Sequence, residues 1–230
     1  LASTADGFFT DSTTGRSLND IKTRAVKAQL LFEPSENLTV RLIGDYSHSQ
    51  GNCCYATSPF IDGPTQPIIN LLTLYQPASS QQFLGVLAGL IPASSMTPTG
   101  RKLPSNDPSR FEQTRSGDGM QEIEDYGGTL LVDAQFGEGT LKSVTSVRKF
   151  TVDQRDLDPD FSGADIFRYN ESFSSRFISQ ELTYNTKIPA LNAEAVFGLF
   201  FSDEKLKMGR SLPWASQAQF YWDAIFASLG

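Results

Sequence analysis

Apolar and polar positions alternate along residues 23–47, broken once by Pro34-Ser35-Glu36-Asn37. Before the break Val26, Ala28, Leu30 and Phe32 share one parity; Ala25, Lys27 and Gln29 share the other, with Leu31 the exception. After it Leu38, Val40, Leu42, Gly44 and Tyr46 alternate with Thr39, Arg41, Asp45 and Ser47, with Ile43 the exception. Side chains of a strand point alternately to its two faces, so the pattern predicts two strands, each with an apolar and a polar face. The break has the composition of a hairpin turn. Each arm runs for about ten residues, the length a tilted strand needs to cross a bilayer.

The pattern recurs twice. Leu130, Val132, Ala134 and Phe136 alternate with Thr129, Leu131, Asp133 and Gln135, and Gly137-Glu138-Gly139 supplies a turn. The return arm from Thr140 to Phe150 has no clean face, because Val144 shares its parity with Lys142, Ser146 and Arg148. In the third unit Ile178, Leu182 and Tyr184 oppose Ser179, Glu181 and Thr183, the turn falls at Ile188-Pro189-Ala190-Leu191-Asn192, and residues 195–201 are apolar on both faces. Such a strand packs its inner face on something else. The chain thus predicts six strands in three hairpins, preceded by the end of another strand near Gly7-Phe8-Phe9-Thr10.

The connections alternate in length. Turns within hairpins are short, whereas residues 48–125, 151–174 and 205–230 are long. A long structureless loop is foreign to a compact soluble domain, but membrane barrels place short turns on one side and long loops on the other. Within the first loop, residues 68–72 and 83–91 read as short helices, and the Pro-rich segment after them as open loop. Near the end Ala218, Trp222, Ile225 and Leu229 recur at helical spacing, with Pro213 near the start.

Composition changes little. Hydrophobic residues make up 39% and charged residues 20%, which suits a soluble protein or a barrel with a wet interior. No apolar run reaches the roughly 18 residues of a transmembrane helix, a signal that strand barrels never carry. The 26 acidic against 19 basic side chains argue against nucleic acid and against anionic lipid surfaces as partners. The first residues carry no signal-peptide pattern.

Candidate chemistry is sparse. Cys53 and Cys54 are adjacent; they form a vicinal disulfide or pair with partners elsewhere, and make a poor zinc site beside the single His48. Asp153, Asp156, Asp158, Asp160 and Asp165 begin like a calcium loop, but Gly163 comes too late and the closing Glu is missing, which points to a solvated acidic loop. His48 has no nucleophile motif to serve and reads as a polar residue at a loop base. Lys27, Arg41 and Arg148 suit a wet interior, paired with carboxylates such as Asp45 and Asp133. Phe32, Tyr46, Phe136 and Tyr184 fall near strand ends on apolar faces, where interfacial girdles belong. No carboxylate pair, metal cluster or nucleophile motif supports an enzyme, so no catalytic, cofactor-binding or metal residue is assigned.

The run AQLLFEPSENLTVRLIGDYS followed by Cys53-Cys54, then EDYGGTLLVDAQFGEGTLKSVTSVRKF, RFISQELTY and AVFGLFFSDE, resembles the barrel of TonB-dependent receptors of the Gram-negative outer membrane. With their loops these stretches span well over half of the chain, in the order that family shows. The resemblance implies an all-β fold: part of an antiparallel transmembrane β-barrel with long extracellular loops containing short helices, residues 1–230 being one segment of a single barrel domain. No plug domain, TonB-contacting segment or closing aromatic strand is seen, so the family pattern favours a fragment of a barrel of roughly 22 strands. It further implies an outer-membrane location in contact with lipid. Uptake of a scarce solute such as a ferric siderophore would follow, through loop binding and coupling to the TonB complex. Ligand-contacting residues have no family motif to carry them over. The alternatives are a passive porin-type barrel and a secreted β-sandwich binding module, for which Asn37-Leu38-Thr39 and Asn170-Glu171-Ser172 would be glycosylation sites.

Overall fold

The computed structural model describes residues 1–54 and 63–229. Seven strands form one antiparallel sheet in the order β1 (Ala2–Ala5), β2 (Ile21–Ser35), β3 (Leu38–Asn52), β4 (Met120–Phe136), β5 (Gly139–Leu157), β6 (Tyr169–Ile188) and β7 (Ala193–Ser211). β2 to β7 are the three hairpins that the alternation predicts. They run further than the alternating segments, so the long connections shrink to residues 53–119 and 158–168. The preceding strand is displaced from its expected place: Ala2–Ala5 pairs with Ile21–Arg24. Phe9–Asp11 instead lies in a small sheet between Ser17–Leu18 and Glu112–Gln113. The sheet is open, with β1 and β7 at its edges.

The register puts every short turn at one end. The β2–β3 and β4–β5 turns are equally tight: Ser35 pairs with Leu38 and Phe136 with Gly139, and in the second Gly137 takes a φ of 64°. A Cβ on Gly139 would lie 2.3 Å from the Asn185 carbonyl oxygen, so only glycine fits where β5 passes β6.

Cross-strand pairing sorts the side chains into two faces. One carries rows such as Leu30–Leu42–Leu130 and Val40–Val132, continuing into Leu182, Leu199 and Phe201. These side chains are exposed: Leu30 66%, Leu42 52%, Leu199 74%. The other face carries Lys27, Asp45 and Arg148 in one row, and Gln29, Thr129, Ser146 and Ser202 in the next. No second sheet covers the apolar face among the described residues, which a sandwich requires.

Register also explains the blurred pattern of β5. Its apolar-side positions include Ser143 and Thr145, yet these are not left bare. Thr145 Oγ1 donates to Gln180 Oε1 (2.5 Å), and Gln180 Nε2 donates to Ser143 Oγ (2.9 Å). Polar groups within an apolar band thus satisfy one another. Val196 and Phe200 of β7 stand on the polar face, and the described residues leave them exposed.

The buried hydrophobic core lies beyond the sheet, in the loops at the end opposite the turns. α1 (Gln66–Leu74), α2 (Ser80–Leu87) and α3 (Ala218–Leu229) meet there. Ile68, Leu72, Phe83, Met96, Ile166 and Ala224 are its main buried members. α1 begins beside Pro67, a residue suited to a first helical turn. At the start of α2 the Ser79 hydroxyl accepts from the Gln82 amide, and Gln82 Oε1 accepts from the Ala78 amide. α2 ends at Leu87, short of the 83–91 expected, because Gly89 turns the chain at φ 72°.

Candidate functional site

The cap built by the long connections is the molecule's most elaborated region. Gln217, fully buried, ties three of its segments. Its Nε2 donates to the carbonyls of Leu72 (2.8 Å) and Tyr75 (3.0 Å), and its Oε1 accepts from the Asp165 amide (2.7 Å). Ser80 Oγ donates to Asp223, joining α2 to α3. Arg101 Nη1 donates to the Gly163 carbonyl (3.0 Å), joining the first loop to the second. These bonds fix the loops relative to one another.

The acidic run divides: Asp153 and Asp156 keep side chains 41% and 49% exposed, as a solvated loop would, whereas Asp158 and Asp160 are enclosed in this framework. Asp158 is 4% exposed and accepts from the Ser116 amide (3.0 Å) and hydroxyl (2.7 Å). Arg168 Nε meets Asp156 Oδ1 at 2.9 Å, and its guanidinium also pairs with Asp165. Asp153 pairs with Arg155. Asp160 lies beside Asp158; burial first, then the charge of Asp158, pushes its pKa up to about 8. Burial raises Asp158 as well. One oxygen of each, Asp158 Oδ1 and Asp160 Oδ2, is buried without a donor, the arrangement of a carboxyl pair sharing a proton. Among the described residues no group of three or more acidic, His or Cys side chains is placed to hold a metal ion.

Aromatic side chains gather on the cap. Trp222 has Tyr221 (5.3 Å), Trp214 (5.9 Å), Phe226 (6.0 Å) and Phe167 (6.4 Å) around its ring, by centroid distance. Trp214 is 64% and Phe226 66% exposed, while Trp222 Nε1 is buried without an acceptor. The exposed rings of Trp214 and Phe226 offer an aromatic surface to a partner. The sequence reasoning missed this cluster. Its signal was present: the chain's two tryptophans stand eight residues apart in a segment read only as a helix.

The polar face of the sheet holds a second organised group. Arg148 Nη1 donates to both oxygens of Asp125 (2.7 Å), and Nη2 to both of Asp45 (2.9 Å). The Arg148–Asp45 pairing follows the sequence; Asp125 does not, because it was assigned to the loop. Asp133 meets Lys142 (3.5 Å), whereas Lys27 and Arg41 make no ion pair among the described residues. His48 lies within β3 and meets Glu122 Oε1 at 2.8 Å. Cys53 and Cys54 are joined through their sulfurs at the end of β3. Of the aromatics, Phe136 and Tyr184 meet at 6.4 Å near the turns, with Tyr184 Oη donating to the Phe136 carbonyl. Tyr46 meets Tyr126 at 6.5 Å toward the loops, and Phe32 is exposed on the same face beside the β2–β3 turn.

No protein-family model and no curated protein matches the chain. Among solved structures the fold is similar to the ferric yersiniabactin uptake receptor FyuA of Yersinia pestis, with a TM-score of 0.57 and 11% identity. The match covers 93% of this chain and 26% of that receptor, so the chain spans about a quarter of its length. At this identity the likeness is one of fold: the antiparallel sheet and its loops are arranged as in part of a TonB-dependent receptor.

Proposed function

We propose that this chain forms part of an outer-membrane barrel that captures a large solute on its extracellular cap and imports it with energy from the TonB complex. The observation that carries the reading is the inverted burial of the sheet. One face of β2, β3 and β4 leaves Leu30, Leu42 and Leu130 uncovered, while Asp45, Asp125 and Arg148 pair on the opposite face. Water makes such a face costly, at roughly 25 cal/mol for each Å² of apolar surface; lipid does not. The two aromatic pairs bracket this band. Tyr126 and Phe136 lie ten residues apart on β4, about 34 Å along a strand. A tilt of about 40° reduces that to about 25 Å, the height of the apolar band of an outer-membrane barrel.

A ferric siderophore is the favoured solute. The similar structure is a receptor for one, and the Trp214, Trp222 and Phe226 platform suits its aromatic and apolar surface. No covalent chemistry is required. The test is fractionation of cells expressing the full-length protein, with boiled and unboiled samples compared on a gel, followed by binding of ferric siderophores to the purified protein. Recovery in the outer membrane with a heat-dependent mobility shift is expected, and Trp214→Ala should weaken siderophore binding by about tenfold. Recovery as a soluble monomer would overturn the reading.

A further inference from the structure

We infer that the polar face of the sheet carries, at its cap end, a pocket for one flat aromatic ring bearing hydroxyl groups, and that this pocket is intact only while Cys53 and Cys54 are joined. The site is independent of the membrane reading above. The two cysteines are neighbours in the chain, so their bond closes almost no loop. Stabilisation by loop closure grows with loop length and is minimal here. The bond ties no two strands together. It shapes the chain where β3 ends: Cys54 stands at φ 75°, a left-handed conformation that a side chain disfavours. Gln154 Nε2, from β5, donates toward both sulfurs, at 3.7 Å from Cys54 and 3.9 Å from Cys53. Broken, the bond would free Cys54 to take an ordinary backbone conformation and turn a wall of two linked sulfurs into two separate thiols.

Beside the disulfide lies a cavity of about 250 Å³. Phe8, Ile21, Ile123 and the two cysteines give it an apolar wall, and Asp20, Asn52 and Gln121 a polar rim. Ile21 and Ile123 depart from the character of their face. Two residues from Ile123 stands Asp125, paired with Ser47, and two from Ile21 stands Thr23, paired with Ser49. Apolar side chains and sulfurs gathered on a hydrophilic face, with a few polar groups at the edge, are the make-up of a small-molecule site. The walls are held in place without a ligand. The Asn52 amide donates to Asp20 Oδ1 (3.2 Å) and the Cys53 amide to the Gly119 carbonyl (3.2 Å). Gly51 lets the Asp20 backbone close in, since a Cβ there would lie 2.0 Å from the Asp20 carbonyl oxygen. Phe8 is backed by Phe9 and Phe111, at centroid distances of 4.9 and 6.4 Å. A cavity of about 150 Å³ holds benzene. The space here therefore takes one ring with its hydroxyl groups and excludes a solute several rings in size. Sulfur makes favourable contacts with aromatic rings, and Phe8 offers a second ring to pack against. The Asp20 carboxylate and the amides of Gln121 and Asn52 are of the right chemistry to meet ring hydroxyls. A sugar ring of the same size needs polar partners all round, which Phe8, Ile21 and Ile123 do not supply.

The test uses the full-length protein purified in mild detergent and titrated with resorcinol or with methyl glucoside, with binding read by saturation-transfer NMR. Saturable binding of resorcinol is expected, and methyl glucoside should not compete with it. Dithiothreitol breaks the Cys53–Cys54 bond: two electrons and two protons pass to the sulfurs, and the reagent closes to its own cyclic disulfide. Resorcinol affinity should then fall about tenfold. The Cys53→Ser, Cys54→Ser variant should show the same loss with no reductant present. Phe8→Ala should weaken binding about fivefold, and Lys142→Gln, on the same face at the turn end, should change nothing. Far-ultraviolet circular dichroism of each variant checks that the strands have formed. Absence of saturable binding, equal binding of methyl glucoside, or unchanged affinity after reduction or in the serine pair would each overturn the inference. Recovery of the protein from the soluble fraction would instead overturn the membrane reading and leave this test as it stands.

Discussion

The sheet and the cap use the same apolar side chains in opposite ways. Leu72 and Phe83 of the cap are fully buried and Ile166 is 1% exposed, whereas Phe32, Leu42 and Leu199 of the sheet are 60%, 52% and 74% exposed. The cap obeys the rule for a protein in water: apolar side chains gather, and buried polar groups such as Gln217 find partners. In the sheet Leu30, Leu42 and Leu130 share one face and stay exposed, while Asp45, Asp125 and Arg148 pair on the other. A hydrophobic content of 39% is therefore no guide to the solvent of this protein. What distinguishes the regions is where each apolar side chain points.

The comparison can be broken at single residues. The largest effect is expected in the cap, where Phe83→Ala should cost about 3–5 kcal/mol of local stability. Faster hydrogen exchange in α1, α2 and α3 would report it, with the mobility shift of the barrel unchanged. Next comes Leu42→Arg on the apolar face. In a bilayer it should cost about 2–4 kcal/mol, whereas at an exposed site in water the change stays within about 0.5 kcal/mol. Denaturant titration in lipid vesicles separates the two. Arg148→Met on the polar face should cost about 1 kcal/mol or less, because the arginine side chain is 40% exposed and its pairs are screened. Lys142→Ala, at a more exposed pair, should change stability by no more than about 0.5 kcal/mol in the same titration.

The Asp158–Asp160 pair sharpens the contrast through pH. Asp160 holds its proton in the folded cap to about pH 8, while an unfolded aspartic acid releases it near pH 4. Between these values folding takes up a proton. The cap's stability is therefore full below about pH 4 and declines as pH rises through about 8. Fluorescence of Trp214 and Trp222 should follow this loosening, and Asp160→Asn should flatten it. The sheet, with no such buried pair across its turns, should not respond over that range.

The sheet was legible because its alternation is local: period two along β2, β3 and β6 assigns each face without knowledge of the partner strand. It failed on β5, whose Ser143, Thr145 and Gln180 network becomes visible only when β5 and β6 are set side by side. The strand ends failed for the same reason. β3 continues through Ser49 and Gln50, residues of weak strand preference, because β2 and β4 pair with them from both sides. The cap was least legible. The last of its helices showed in helical spacing and the first two in short apolar runs, but the burial of Asp158 depends on Ser116, 42 residues away, and Gln217 reaches Leu72 across 145. No local pattern encodes such contacts. The Trp214–Trp222 contact is likewise a product of loop packing.

The account stands on the claim that the face bearing Leu38, Val40, Leu42 and Tyr46 meets lipid. Single cysteines placed in turn at positions 38 to 46 of the full-length protein, spin-labelled and reconstituted in vesicles, test it most directly. Accessibility to dissolved oxygen should peak at the even positions, and accessibility to a water-soluble nickel complex at the odd ones, with a period of two along β3. Equal access of the nickel complex to both sets would place water on both faces and contradict the account.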